Sequence, residues 1–469
     1  MERIKAWLRR EPEYEPLVDG GGTDAGEPER ADHDTTPRVQ TFSWTEYAIF
    51  LLLGIAMLWA WNMFLAAGPY LQTRFSTSPW IYNNFQSVEL VVSSLAALGG
   101  MLVLTGSQAN ASYPKRIILA LVINTVAFIL LAVSTQEFLD ISAEVYFAFI
   151  IIAVTVTSTA TALFQNGIFS YVIGFGEEQY TQGIMTGQAV AGVLPCIAQI
   201  VLVLSVNTPQ QHEPDGQRPG EPGPTPGGSP KHPSPDGKAA FAYFLTAFGV
   251  SAVTLVAFLY LLRQQASKKP KPIVDQSSPT DDIDTAGSSE KSVPLYILFR
   301  KTRWLALAVF ATFTITMIFP VYTQQIVSVN PPDGTSQFLQ PASFIPLAFL
   351  FWNSGDLVGR MITAVPFLRL THRPRIVFVL SLLRLVFIPL YQLCNVRGRG
   401  AIVQSDLFYL VGVQLLYGMT NGYIGSLCMM GAGDCVSPDE RAAAGGFMGL
   451  SLVLGLTSGS FLSFLVPRG

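Results

Sequence analysis

The chain has 469 residues, of which 50% are hydrophobic and only 13% carry a charge. Because soluble domains carry about 25% charged residues, this composition excludes a soluble globular enzyme and a disordered protein. The net charge of −3 and the scattered basic residues indicate no nucleic-acid partner. The sequence therefore predicts an all-α polytopic membrane protein in a lipid bilayer.

The N-terminal segment, residues 1–45, is polar and predicts a disordered cytosolic tail. It shows no cleavable signal peptide, so we expect the first span to act as its own signal. Tyr14 and Leu17 fit a Tyr-x-x-hydrophobic sorting signal that sorting adaptors would bind. This short motif favours a vacuolar, lysosomal or endosomal membrane over the plasma membrane.

A helix needs about 20 apolar residues to cross the hydrocarbon core of a bilayer. Eleven stretches of the chain satisfy this requirement and are predicted as transmembrane helices. In chain order they are 46–70, 82–105, 115–134, 144–174, 181–206, 239–263, 302–328, 341–366, 374–394, 404–430 and 441–464.

Two polar segments divide these spans. Residues 207–238 are rich in Pro and Gly and predict a disordered exoplasmic or lumenal loop. Residues 264–301 predict a cytosolic linker between an N-terminal bundle of six spans, 46–263, and a C-terminal bundle of five, 302–464. A 6 + 5 division favours two bundles that rock about a site at the midplane. Residues 465–469 read as the remnant of a thrombin-cleavable expression tag.

The lysines and arginines orient the spans. If the N-terminus is cytosolic, 20 of the 29 lysines and arginines fall in cytosolic segments and seven on the opposite side. Basic residues accumulate in the cytosolic loops of membrane proteins. We therefore expect a cytosolic N-terminus and an exoplasmic or lumenal C-terminus.

The eighth span contains the strongest cluster of polar residues. Asp356 and Arg360 lie four positions apart, so they share a helical face and can form an ion pair, and Asn353 lies one turn earlier. Charged groups are costly inside a bilayer and indicate function by default. The alternative is a self-neutralised pair that only holds the bundle together, and the two interpretations are compatible.

Other polar residues within spans are candidates for lining a cavity. Trp61 lies near the predicted middle of the first span beside Asn62, and Gln165 and Asn166 place two adjacent amides in the fourth. Such amides either bind a ligand or form a bond between helices. Glu89 in the second span is either a proton-coupling group or a solvated residue near the interface.

The sequence contains no catalytic or nucleotide-binding motif. All four histidines lie in predicted loops, which excludes a histidine proton relay across the membrane. The four cysteines lack metal-site spacing and are predicted as buried thiols. We therefore expect no enzyme activity, no metal and no cofactor, which leaves a passive or ion-coupled carrier.

Several segments, read together, resemble the equilibrative nucleoside transporter family, in particular eukaryotic and fungal-type members of intracellular membranes. They are Trp61 to Leu65, Gln165, Met185 to Gln188, Phe313 to Thr316 with Phe319-Pro320, Asn353 to Arg360, and Thr420 to Tyr423.

This resemblance implies a major-facilitator-like bundle that carries nucleosides, and nucleobases as well, by alternating access to one central site. It implies that Trp61 and Leu65 contact the substrate and that Gln165 binds the base. Asp356 and Arg360 would bind the ribose hydroxyls, supported by Asn353, while Phe319 would form part of a hydrophobic wall.

Two other functions remain open at this point. The first is a proton-coupled carrier for nucleosides or another polar or cationic solute, with Glu89 or Asp356 as the proton-binding group. An Asp356 carboxylate paired with Arg360 stays charged, which argues against Asp356 in this role. The second is a non-transporting membrane scaffold or receptor whose polar residues stabilise the bundle.

Overall fold

The computed structural model describes residues 42–108, 111–206, 235–268, 293–330 and 336–463. Within these ranges the chain forms fourteen α-helices. They are α1 (Trp44–Ala66), α2 (Gly68–Arg74), α3 (Pro79–Gly106), α4 (Tyr113–Glu137), α5 (Ala143–Phe175), α6 (Glu178–Val206), α7 (Pro235–Lys268), α8 (Leu295–Thr316), α9 (Phe319–Thr323), α10 (Pro341–Ile362), α11 (Pro374–Leu383), α12 (Phe387–Gln392), α13 (Leu416–Met430) and α14 (Arg441–Ser463).

Helices occupy all eleven of the predicted spans. Among the described residues, nine helical stretches are long and apolar enough to cross a membrane. The other two are α10, which carries Asn353, Asp356 and Arg360, and the tenth stretch, where a π-helix, Phe408–Leu415, precedes α13. Polar residues lower the hydropathy of α10, and the change of helix type shortens α13.

The helices around the linker are longer than the predicted spans. α7 begins at Pro235, inside the predicted loop, and continues to Lys268, and α8 begins at Leu295, inside the predicted linker. Polar residues such as those at 263–268 have good helix propensity, so a helix continues past the apolar core into water. Hydrophobicity therefore located the spans but not the ends of the helices. Tyr14, Leu17 and residues 465–469 lie outside the described residues.

Proline accompanies helix breaks in three of the predicted spans, the first of which lies at Pro69, between α1 and α2. Pro320 follows the end of α8, where its ring would clash with the carbonyl of Thr316 in a continuous helix. Pro389 acts in the same way on Leu385, and a 3₁₀ turn, Arg384–Val386, separates α11 from α12. Thr316, at the end of α8, and Arg384, in the 3₁₀ turn, are both buried polar side chains beside these breaks.

Residues 43–463 form one compact unit. It consists of two halves, α1–α7 and α8–α14, which contain three apolar cores. One core, here called the shared core, contains residues of both halves, including Phe50 of α1, Phe169 of α5 and Leu427 of α13. The other two cores are each confined to one half, around Tyr146 and around Tyr391. The halves are therefore packed together at the end where α1 begins and separate at the other end.

Helix α10 packs against α13 at backbone contact distance. A Cβ atom on Gly422 would lie 2.0 Å from the carbonyl oxygen of Asp356, and one on Gly355 would lie 2.1 Å from that of Leu415. Small residues allow such close approach between membrane helices. The contact places Asp356 beside the polar residues of α13.

We expect Gly422→Ala to destabilise the protein by about 1–3 kcal/mol, because the added methyl group has no space. Thermal unfolding of the purified protein in detergent would measure the change. Gly99→Ala is the matched control, since no atom lies within 4 Å of its added Cβ. Equal unfolding temperatures for the two variants would contradict the close packing of α10 on α13.

Candidate functional site

A central cavity of about 290 Å³ lies between the two halves, next to the shared core. This volume is near the lower end of the range of about 300–1,000 Å³ for small-molecule sites. Its walls come from α1, α5, α6, α8, α9, α10, α13 and α14. Its polar lining residues are Asn62, Gln165, Gln188, Thr316, Asn353, Asp356, Arg360 and Asn421.

An ion pair on α10 forms the charged wall of the cavity. Arg360 Nε donates to Asp356 Oδ2 at 2.7 Å, and each side chain is only 5% exposed. The i, i+4 spacing predicted from the sequence therefore produces the expected contact. A buried charge is retained only when it is paired and hydrogen-bonded, so each residue requires the other.

Arg360 also connects the two halves. Its Nη1 donates to the Met185 carbonyl oxygen at 2.7 Å and to Gln188 Oε1 at 2.9 Å, both on α6. Its Nη2 makes no hydrogen bond to any described residue. Arg360 thus holds α10 against α6 while a pair of N–H donors remains available to a ligand.

The second oxygen of Asp356 belongs to a network within the C-terminal half. Asn421 Nδ2 donates to Asp356 Oδ1 at 2.6 Å, and the Thr316 hydroxyl lies 2.6 Å from Asn421 Oδ1. These contacts occupy one position on each carboxylate oxygen, counting Arg360. A carboxylate has about four acceptor positions, so Asp356 retains capacity for ligand hydroxyl groups.

Two stacked aromatic rings form another wall of the cavity. The rings of Phe319 and Trp352 lie 4.2 Å apart between centroids with an interplanar angle of 11°. Phe349 contacts Phe319 edge-on at 5.1 Å. Phe319 begins α9, directly after the break that precedes Pro320. Its partner Trp352 lies on α10, one turn before Asp356.

Two amides predicted as site residues line the cavity. Asn353 Nδ2 donates to the Phe349 carbonyl oxygen at 2.9 Å. Gln165 is 8% exposed, and no hydrogen bond joins its amide to another described residue. The neighbouring Asn166 instead faces the bundle and accepts from Arg116. Gln165 therefore lines the cavity, whereas Asn166 takes part in contacts between helices.

Two residues of α1 lie beyond the walls of this cavity. Helical spacing puts Trp61 one turn past Met57 and Leu65 one turn past Asn62, on the cavity side of α1. Leu65 is 57% exposed, and Trp61 stacks on Phe64 with centroids 6.5 Å apart. Both lie towards the end where the halves separate, and their contact with substrate stays a prediction.

Glu89 is not among the residues that line the central cavity. It is 7% exposed on α3, and no described residue forms a hydrogen bond with its Oε1. A solvated position at the membrane interface does not fit this burial. Its role in proton coupling stays a prediction.

A second buried arginine lies behind the ion pair. Arg384, 1% exposed, donates from Nη1 to the Thr312 carbonyl oxygen at 2.6 Å and lies over the Tyr417 ring at 4.6 Å. The 3₁₀ turn between α11 and α12 directs it inward. Arg384 lies inside the predicted span 374–394, and the sequence analysis assigned it no role.

The sequence prediction omitted several residues that line the cavity. Trp352 lies four positions before Asp356, so its helical face was predictable from the spacing. Gln188 and Asn421 are polar residues in otherwise small or apolar segments, which was the available signal. Met57, Phe313, Leu452 and Leu456 give no such signal, because apolar residues in spans are ordinary. No group of three or more His, Cys, Asp or Glu side chains among the described residues could hold a metal ion.

The arrangement suits a small neutral solute with both flat and polar surfaces. A planar group fits against the stacked rings, while hydroxyl groups meet the ion pair and the amides. The cavity lies at the junction of two helical halves, where carriers bind their substrates.

Sequence comparison identifies the family. A profile described as "Nucleoside transporter" matches residues 151–213 and 231–467. The chain belongs to this family. It is 29% identical to the nucleoside transporter FUN26 of Saccharomyces cerevisiae, covering 92% of this chain and 86% of that protein. It is 26% identical to human equilibrative nucleoside transporter 1, covering 89% of this chain and 96% of that protein.

Structural comparison indicates the major-facilitator fold for this nucleoside transporter family member. The E. coli fucose:proton symporter FucP aligns with a TM-score of 0.53 at 14% identity, over 89% of this chain and 95% of that one. The proton:xylose symporter XylE aligns with a TM-score of 0.55 at 9% identity, over 90% of this chain and 88% of that one. At these identities the likeness concerns the fold alone.

We expect Asn421→Ala to lower stability by about 1–3 kcal/mol, because Asp356 would lose a buried hydrogen bond. Thermal unfolding in detergent would measure the loss. The control Asn83→Ala removes an exposed amide whose hydrogen bond goes to the Pro79 carbonyl of its own helix, and it should change stability by less than about 0.5 kcal/mol. If Asn421→Ala unfolds at the temperature of the control, the network does not support Asp356.

Proposed function

We propose that this protein carries nucleosides, and nucleobases as well, across a membrane down their concentration gradient by alternating access. The observation that carries the proposal is the central cavity, in which the Asp356–Arg360 pair faces a stacked aromatic wall. The names of the curated relatives, FUN26 and the equilibrative nucleoside transporters, support the substrate class.

The cavity suggests a role for each of its walls. The base would lie against Phe319 and Trp352 and hydrogen-bond with the amide of Gln165. The ribose hydroxyls would accept from Arg360 Nη2 and donate to Asp356, whose carboxylate retains acceptor capacity. Asn353 would support this contact. Trp61 and Leu65 would contact the substrate on its way to or from the cavity.

Transport would proceed by rocking of two bundles. The moving units would be the predicted N-terminal bundle, 46–263, and C-terminal bundle, 302–464. The separate apolar cores at one end and the shared core at the other support this division. With a cytosolic N-terminus, the halves are packed together at the cytosolic end, so the cavity would be reached from the exoplasmic or lumenal side. Opening the cytosolic end requires breaking the contacts of Arg360 with α6.

We place the protein in a vacuolar, lysosomal or endosomal membrane. The proposal rests on the Tyr14 and Leu17 pattern, with sorting adaptors as its readers. The name of the fungal relative supports the substrate and does not bear on the membrane.

Uptake of radiolabelled uridine and adenosine into proteoliposomes tests the function. We expect saturable uptake without any imposed ion gradient, and a loss of about 10- to 100-fold in Arg360→Lys. Lysine keeps the charge that neutralises Asp356 but lacks the guanidinium fork, and hydrogen bonds to charged groups contribute about 1.5–3 kcal/mol.

Arg399→Lys is the matched control, because Arg399 is exposed in the loop after α12 and should keep normal uptake. Absence of uptake by the folded wild-type protein would contradict the carrier function. If that protein still bound uridine, the result would favour a non-transporting receptor.

Proton-coupled carriage is the second candidate function, and the buried Glu89 favours it. A carboxyl group with an oxygen lacking a partner among the described residues can exchange a proton as its surroundings change. Coupled uptake would accelerate when a proton gradient is imposed, and Glu89→Gln would remove this acceleration but not the basal uptake. For the passive carrier we expect no effect of the gradient in either protein.

A further inference from the structure

A cavity of about 470 Å³ lies at the outer surface where α8 meets the start of α11. It is separate from the central cavity, and the two have no lining residue in common. It is lined by Trp304, His372, Arg373, Pro374, Arg375 and Ile376. This lining includes two arginines and a histidine, and none of its described residues carries a carboxylate. Its charge is therefore complementary to an anion.

Two guanidinium groups from different helices contact the indole ring of Trp304: Arg375 lines the cavity, and Arg303 lies next to Trp304 on α8. The guanidinium carbon of Arg303 lies 5.4 Å from the centroid of the Trp304 ring, and that of Arg375 lies 5.9 Å from it. Phe378 of α11 contacts the ring at 5.5 Å. Cation–π contacts of this length are attractive. The indole thus holds the positive charges of α8 and α11 together.

Two other basic residues outside the lining of this cavity are paired with carboxylates. Lys301 pairs with Glu440 at 2.6 Å, and Arg369 pairs with Glu178 at 3.2 Å. Arg303 and Arg375 contact an aromatic ring instead, so their charges are not neutralised by that contact. Arg375 therefore contributes its positive charge to the cavity, and Arg303 contributes its charge beside it.

An apolar surface leads away from the cavity along α11. Ile376, Val379 and Leu383 follow at spacings of three and four residues, which places them on one face of the helix. Their exposed fractions are 42%, 54% and 60%. Phe367, in the turn before α11, is 91% exposed. The basic cavity therefore lies at the polar end of an apolar face that a bilayer would cover.

We propose that this cavity binds the phosphate headgroup of an anionic phospholipid, whose acyl chains lie along the exposed face of α11. Basic pockets at the ends of transmembrane helices bind such headgroups, and the apolar face contributes affinity that a soluble phosphate could not gain. The site is independent of the transport cavity and of the substrate.

Native mass spectrometry of the purified full-length protein in detergent tests the site. The probe is phosphatidylinositol 4-phosphate, and phosphatidylcholine is the neutral comparison. We expect the wild-type protein to prefer the anionic lipid. The double variant Arg303→Gln/Arg375→Gln should weaken this binding by about five-fold per arginine, equivalent to roughly 1 kcal/mol each.

Two single variants separate the site from general charge effects. Arg399→Gln removes an exposed arginine in the loop after α12 and should keep the lipid preference, and Arg375→Lys should keep most of it because the charge remains. Uridine uptake in phosphatidylcholine vesicles verifies that each variant is folded. Unchanged lipid binding in the double variant, or equal losses in Arg399→Gln, would overturn the proposal.

The soluble headgroup distinguishes a lipid from a free phosphorylated ligand. Inositol 1,4-bisphosphate should compete with phosphatidylinositol 4-phosphate only at much higher concentration, because it lacks the acyl chains. Competition at equal concentration would overturn the assignment to a membrane lipid.

Discussion

The structure depends on the ion pair between Asp356 and Arg360 in the interior of a membrane-spanning bundle. Neither charge is tolerable there alone, and the pair is stable only because two neighbouring helices supply its remaining hydrogen bonds. α13 contributes Asn421, and α6 contributes the Met185 carbonyl and Gln188. The same contacts that stabilise the charges therefore also position α10 between the two halves.

Close packing and helix breaks supply the geometry that this pair needs. Gly355 and Gly422 let α10 and α13 approach until the carbonyl of one helix meets the Cα of the other, which brings Asn421 within reach of Asp356. Pro320 ends α8 where Thr316 and Phe319 must face the cavity. Residues with no functional group of their own thus determine where the functional groups lie.

The arginines of the C-terminal half act in distinct environments. Arg360 is buried and paired with a carboxylate, Arg384 is buried against Thr312 and Tyr417, and Arg375 is exposed beside Trp304. The first environment leaves N–H donors at the central cavity, whereas the third presents a charge to the surface. The same guanidinium group therefore has a different role at each position. A buried arginine needs partners from the protein to compensate its charge, whereas an exposed one does not.

The sequence by itself determined the membrane class, the eleven helical stretches and the residues that are costly in a bilayer, because hydrophobicity and charge are local properties. It predicted the pairing of Asp356 with Arg360, since four residues span one helical turn. Only the tertiary structure decided that Gln188, Asn421 and Trp352 join them and that Asn166 does not. It also decided that Arg303 and Arg375 meet at one indole ring. These contacts join residues far apart in the chain, and their distances depend on how the helices pack.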